Sequence, residues 1–155
     1  LCPVNLYGEH KALAEKITLD CGYSVVRFPY MFAPSLTHKK HFFDQITGQL
    51  KKGEPVYMFT DYIRSSLPYP TAAEYLCRLS AAQPKDRIFN ICADAPTSKY
   101  DIGLYAAEQC GADKSLVLPC LSADSGVFTE RRAGTLTMSN KKLKALLGTE
   151  EPIGF

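Results

Sequence analysis

Hydrophobic positions change their period several times along the chain, and each change predicts an element. Leu13, Ala14 and Ile17, with Leu6 just ahead, recur at helical spacing over residues 8–20, and Cys21-Gly22 ends that run. Residues 23–28 form a short, nearly continuous apolar stretch rich in Val. That pattern suits a strand buried on both faces, the kind found in parallel sheets. Residues 37–52 predict a second helix with Phe42, Phe43, Ile46 and Leu50 on one side and Gly53 as its stop. Residues 55–59 are a candidate strand. A third helix follows Pro68 and Pro70 over 71–82, with Ala72, Tyr75, Leu76 and Leu79 on its apolar side. Residues 87–92 read as another buried strand. Ser98 with Asp101 three positions later predicts a capped helix that runs to Cys110, with Gly111 in the left-handed cap. Residues 116–121 are a short apolar run and 122–134 a loop. A last helix spans 139–147, capped by Ser139 and stopped by Gly148.

Helices separate the two buried strands, so the strands are expected to lie parallel in an α/β fold. A parallel pair is rarely stable alone and belongs to a larger sheet covered on both faces. No other predicted strand has the same buried character, which implies that most of that sheet lies outside these 155 residues. The chain also opens on Leu1 instead of Met.

Composition narrows the classes of function. Charged residues are 22% and hydrophobic ones 46%, the balance of an ordinary globular domain. A net charge of +2 gives no reason to expect nucleic acid as a partner. No stretch approaches the ~20 apolar residues of a membrane span, so no membrane partner is expected. The 6 cysteines form no CxxC pair and no metal-ligand spacing, so no metal is expected, and a reducing, cytoplasmic location is.

The chemistry is concentrated near the start. Tyr7 and Lys11 are spaced i, i+4, which puts both side chains on one face of the first predicted helix. A nearby ammonium stabilises a phenolate and so equips a tyrosine to exchange a proton with a carbonyl or alcohol oxygen. In a chain with 9 tyrosines such spacing also arises by chance, and by itself it describes a solvated helix face. The flanking residues carry more.

Pro3, Asn5, Tyr7, Gly8, Lys11 and Glu15 fit the pattern P-x-N-x-Y-G-x-(S/T)-K-x-x-x-E, with His10 in place of the small hydroxyl residue. This segment resembles the active-site segment of the extended short-chain dehydrogenase/reductases. Residues 23–34 resemble that family's next strand and loop, with Ala33 where Gly is usual. Residues 64–73 resemble its R-x-x-x-Y-(V/P)-x-D-x-A segment, with Thr71 for the Asp. Phe89-Asn90-Ile91 resembles its (Y/F)-N-(I/V) strand. The tail from Arg131 to Gly148 is similar to that of the dTDP-4-dehydrorhamnose reductases and their RmlD-like substrate-binding region, although Ala133 replaces a proline.

The resemblance implies the C-terminal portion of a Rossmann-like doubly wound parallel sheet plus a small α/β substrate-binding region. Residues 1–34 would end the dinucleotide-binding domain, and 35–155 would be mainly the substrate region, with 87–93 returning to the parallel sheet. It implies reduction of a 4-keto sugar nucleotide with NADP or NAD, Tyr7 acting as general acid beside Lys11. Phe28, Pro29 and Tyr30 would lie near the nicotinamide, Met31 and Phe32 would line the substrate cleft, and Arg64 would reach the diphosphate. An Arg64 surface salt bridge is the plainer alternative. Arg131 and Arg132 read as solvated charges, and Arg27, inside an apolar strand, as half of a buried ion pair. A nucleotide-sugar substrate and a homodimer are the expected partners. An epimerase or dehydratase of the same family is one alternative. A non-catalytic subunit resembling the regulatory subunit of methionine adenosyltransferase is another. The sequence holds no glycine-rich G-x-x-G-x-x-G or G-x-G-x-x-G loop to cradle a dinucleotide pyrophosphate. The 155 residues by themselves are therefore expected to bind no dinucleotide and to turn nothing over.

Overall fold

Regular structure starts at Asn5, whose side-chain oxygen accepts from the Gly8 N–H at 3.0 Å and caps α1 (Leu6–Asp20). The computed structural model describes residues 2–126 and 133–155. After α1 come β1 (Val25–Arg27), β2 (Met31–Phe32), α2 (Phe42–Leu50), β3 (Val56–Phe59), β4 (Ile63–Arg64), β5 (Leu67–Pro68) and α3 (Tyr69–Ala81). Next are β6 (Ile88–Asn90), β7 (Thr97–Ser98), α4 (Lys99–Cys110), β8 (Val117–Cys120), β9 (Thr135–Leu136) and α5 (Lys141–Leu147).

The two strands expected to be parallel are so: β1 pairs with β6, Val25 opposite Ile88 and Arg27 opposite Asn90. A second parallel pair joins β3 to β8, Val56 opposite Val117 and Phe59 opposite Cys120. Its β3 strand buries Val56 and Met58 and leaves Tyr57 exposed, the alternation of a sheet covered on one face. β2 runs parallel to β5, and β4 is flanked by β7 and β9. The chain is thus α/β with parallel pairing dominant, and long connections through helices link the paired strands.

Two hydrophobic clusters hold these pieces. One gathers Phe43, Ile46 and Leu50 of α2, Val56 and Met58 of β3, Ile102 and Ala106 of α4, and Phe32 and Val117. The other gathers Ala72, Tyr75 and Leu79 of α3, Phe89 and Ile91 at β6, and Leu67, Leu143 and Ile153. The close approach of α4 to β3 and β8 depends on Gly103, where a Cβ would stand 2.9 Å from both Met58 Cγ and Val117 Cγ1.

Local competition moved two boundaries. The second helix begins at Phe42 and not at residue 37, because Asp44 accepts from the Ser35 and His41 N–H groups and folds the preceding loop over the helix start. Ser35 Oγ donates to the Lys39 carbonyl in the same loop, the kind of local bond that competes with helix. The last helix begins at Lys141 with Asn140, not Ser139, at its N-cap. The Asn140 amide donates instead to the Cys92 carbonyl at 2.9 Å and to Asp94 at 2.6 Å, anchoring the helix start to the end of β6. The Ser98 cap and the left-handed Gly111 and Gly148 stand where the sequence places them. Within the predicted 122–134 loop, Ser122–Ser125 forms a 3-10 turn.

Candidate functional site

The residues of the first motif divide into those that hold α1 and those it presents. Asn5 caps the helix. Gly8 lets Pro3 pack on its first turn, where a Cβ would come within 3.0 Å of Pro3 Cβ. Glu15 reaches β1: Arg27 donates to it through Nε at 2.9 Å and through Nη2. These bonds hold the Glu15 carboxyl below its ordinary range. Arg27 therefore has the ion-pair partner its apolar strand demands. At the far end Arg87 donates to the Tyr23 carbonyl and, through Nη2, to the Leu19 carbonyl, closing the last turn of α1.

With its ends and one face so fixed, α1 presents Tyr7 and Lys11 outward. The Lys11 ammonium stands 5.8 Å from the Tyr7 ring centroid, and the tyrosine is 69% exposed. Leu6, Leu13 and Ile17 are exposed on the same helix, and none of its residues is buried.

Phe28, Pro29 and Tyr30 leave the end of β1 half-buried. The Tyr30 carbonyl accepts from the Leu67 N–H at 3.2 Å, which leads the chain into the β2–β5 pair. Met31 is half-buried. Phe32 is a core residue, stacked on Phe43 at 5.6 Å and met edge-on by Phe155 at 4.8 Å. Phe32 also lines an apolar cavity of about 100 Å³ with Pro34, Phe43, Pro68, Pro70 and Tyr105. That space is too small for a nucleotide sugar.

Arg64 is not on the surface, and among the described residues it forms no salt bridge. It is 8% exposed, stacks 3.8 Å from the Tyr62 ring centroid, and donates to the carbonyls of Ile63, Ala133 and Gly134 at 2.6–2.7 Å. Its guanidinium thus fastens the chain after residue 132 to β4. Arg131 and Arg132 lie outside the described residues.

Sequence reasoning passed over Lys99. Its ammonium lies 2.9 Å from the Tyr30 ring centroid and 4.3 Å from that of Phe42. Burial first, and the charge of Arg64 second, push the Lys99 amine down to about 7. Burial, with Tyr69 and Tyr62 nearby, pushes the Tyr30 phenol up to about 12, so it stays neutral. No sequence signal separates Lys99 from the other lysines; only the approach of α4 to the 28–32 segment and to β4 does so. The expected site residues therefore fall into two groups: Tyr7 with Lys11 on α1, and Tyr30 with Arg64 around Lys99.

Among the described residues no helix is long and apolar enough to cross a membrane. A family model, the RmlD substrate binding domain, matches residues 1–153. No curated protein matches the chain. Among solved structures, a dTDP-4-dehydrorhamnose reductase from Bacillus anthracis in complex with NADP is 15% identical, with a TM-score of 0.80. The match covers 99% of this chain and 52% of that one. A dTDP-4-dehydrorhamnose reductase from Clostridium acetobutylicum is 16% identical over 99% of this chain and 53% of its own, with a TM-score of 0.80. A dTDP-glucose 4,6-dehydratase from Bacillus anthracis in complex with NAD is 16% identical over 98% and 48%, with a TM-score of 0.71. The chain spans about half the length of these proteins, and its fold is that of their matching half.

Proposed function

The chain belongs to the RmlD substrate binding domain family, and from that premise we propose that it is the substrate-side portion of an NAD(P)-dependent oxidoreductase that reduces a 4-keto sugar nucleotide. The observation that carries this reading is the Tyr7–Lys11 pair, one turn apart and open to solvent on a helix whose other motif residues all hold it in place. In this division residues 1–34, with the strand at 87–93, serve the cofactor side, and the rest of 35–155 serves the substrate.

The residues present fit the nicotinamide end of NAD(P) and not its pyrophosphate. An exposed phenol and ammonium stand ready on α1, while no glycine-rich turn exists in the sequence. NAD(P)H, when bound, supplies a hydride to the ketone carbon. Tyr7 gives its proton to the ketone oxygen as the alkoxide forms, and the charge left on the phenol oxygen is met by the Lys11 ammonium. Lys11 has further hydrogen-bond donors for a ribose hydroxyl. Phe28, Pro29 and Tyr30 would border the nicotinamide and Met31 the sugar, while Phe32, 2% exposed in the core, would act on the cleft only through the packing around it. Arg64 acts on the substrate diphosphate through the loop it fastens, since three of its N–H donors are engaged by carbonyls.

The longer protein that carries this chain is expected to consume NADH or NADPH with a 4-keto sugar nucleotide. Its Tyr7→Phe variant is expected to lose about 10²–10⁴-fold in kcat with little change in KM. Turnover without net cofactor consumption would identify an epimerase or dehydratase. Full activity of Tyr7→Phe would assign the chain a binding role like that of a regulatory subunit. Calorimetry on the 155-residue chain is expected to show no NADH or NADPH binding, and micromolar affinity there would overturn the division proposed above.

A further inference from the structure

Lys99 is the first residue of α4, and its environment is one an ammonium does not choose. Its head group lies against the faces of Tyr30 and Phe42. No hydrogen-bond acceptor or carboxylate meets it among the described residues. Among the described residues Arg64 is the charged group that perturbs it, and that charge has the same sign. The other titratable groups of the surrounding elements offer no compensation. Asp101, on the same helix, is held by the Ser98 N–H and hydroxyl at 2.7 Å. Asp44 of α2 is held by the Ser35 and His41 N–H groups. Tyr30, Tyr62 on the β4 side and Tyr69 at the start of α3 are phenols. Two aromatic faces recover part of the lost hydration of a cation, but they satisfy none of its three N–H donors. Among the described residues the place is therefore positive, walled by rings and short of acceptors.

We propose that Lys99 is the counter-ion for an oxyanion carried by the ligand of this region, a sugar carboxylate or a phosphate, received in front of Tyr30 and Phe42. A carboxylate or phosphate oxygen supplies both the charge and the acceptors the site lacks. Arg64 adds long-range attraction while its own donors remain on the 133–134 carbonyls. Because the free amine titrates near neutrality, the anion binds together with a proton.

The test uses the 155-residue chain, with UDP-glucuronate and UDP-glucose as probes, followed by calorimetry and by NMR of the Lys99 side chain. Both probes keep a constant charge between pH 5.5 and 8.5, so any pH dependence belongs to the protein. The expected result is a UDP-glucuronate Kd that weakens roughly tenfold per pH unit above 7, together with an upward move of the Lys99 titration on binding. K99M is expected to weaken binding about tenfold or more at pH 6.5. K99R is expected to retain binding and lose the pH dependence, because a guanidinium does not titrate there. An effect confined to UDP-glucuronate assigns the anion to a sugar carboxylate, and an equal effect on both probes assigns it to the diphosphate. Unchanged Kd values in K99M, or a Lys99 titration that neither probe moves, would overturn the proposal. Binding is read without turnover, so the outcome is independent of the reductase reading.

Discussion

A carboxylate on a helix and a guanidinium on a strand set the posture of the reactive pair. Glu15 and Arg27 are half-buried, and their bidentate contact ties α1 to β1. Arg27→Met is expected to cost about 1 kcal/mol at pH 7. The sign with pH follows from Glu15: its carboxyl is held below its ordinary value in the folded state, so its contribution is complete above pH 4.5 and is lost as pH falls through the folded value. Urea titrations of the two proteins should therefore converge as the solution is made acid; a gap that persists at pH 3 would show that packing, not charge, explains the difference. Lys99 moves stability with pH in the same direction, but as a penalty that is relieved rather than a gain that is completed. Its folded amine titrates near 7 against 10.5 when free, so the unfolded chain binds more protons between those values and stability climbs over that interval. Lys99→Met removes a buried charge that meets no carboxylate among the described residues and is expected to raise stability at pH 7 by about 1–3 kcal/mol. The gain should vanish above pH 10.5 in thermal melts. A residue that weakens its own fold in this way is one kept for something other than the fold.

At the scale of elements, α4 shows packing overruling propensity. Gly103 sits mid-helix, where alanine would gain about 1 kcal/mol in helix propensity. Its Cβ would meet Met58 and Val117 at 2.9 Å. Met58 can swing away, but the β-branched Val117 cannot, and overpacking of this kind costs about 1–3 kcal/mol. Gly103→Ala is therefore expected to lower stability by about 1 kcal/mol, read as a shift in the denaturant midpoint with an unchanged slope. A stabilised variant would mean that β8 yields. The same helix carries Ser98 in a reciprocal capping box with Asp101, a start that is readable from the sequence because its parts are three residues apart. The starts of α2 and α5 are less legible. Asp44 and Asn140 use their side chains on the loop before one helix and on Cys92 and Asp94 before the other, and those partners are set by tertiary contact.

At the scale of the molecule, the parallel pairs β1–β6 and β3–β8 stand on two cores, and α1 lies outside both. Leu13 is 56% and Ile17 53% exposed, so this stripe contributes little to the chain's own stability. The double change Leu13→Lys and Ile17→Lys should leave the melting free energy of the 155 residues within about 0.5 kcal/mol of the parent. A loss above about 1 kcal/mol would show that the stripe is packed in solution. Periodicity and turn chemistry by themselves missed the two-residue strands β2, β4, β5, β7 and β9 but determined the order of the five helices and of β1, β3 and β6, the parallel pairing of β1 with β6, the Ser98 cap, the glycine stops and the adjacency of Tyr7 and Lys11. All of these follow from residues a few positions apart or from the burial of a whole apolar run. Only the tertiary structure decided that Glu15 is the partner of Arg27, that Arg64 fastens the 133–134 backbone, and that Lys99 comes to rest between Tyr30 and Phe42. Each of those contacts joins groups from 12 to 70 positions apart. A distance of that size carries no local signature, because many side chains of the right chemistry compete for it until the cores of α2, α4 and β3 pick one.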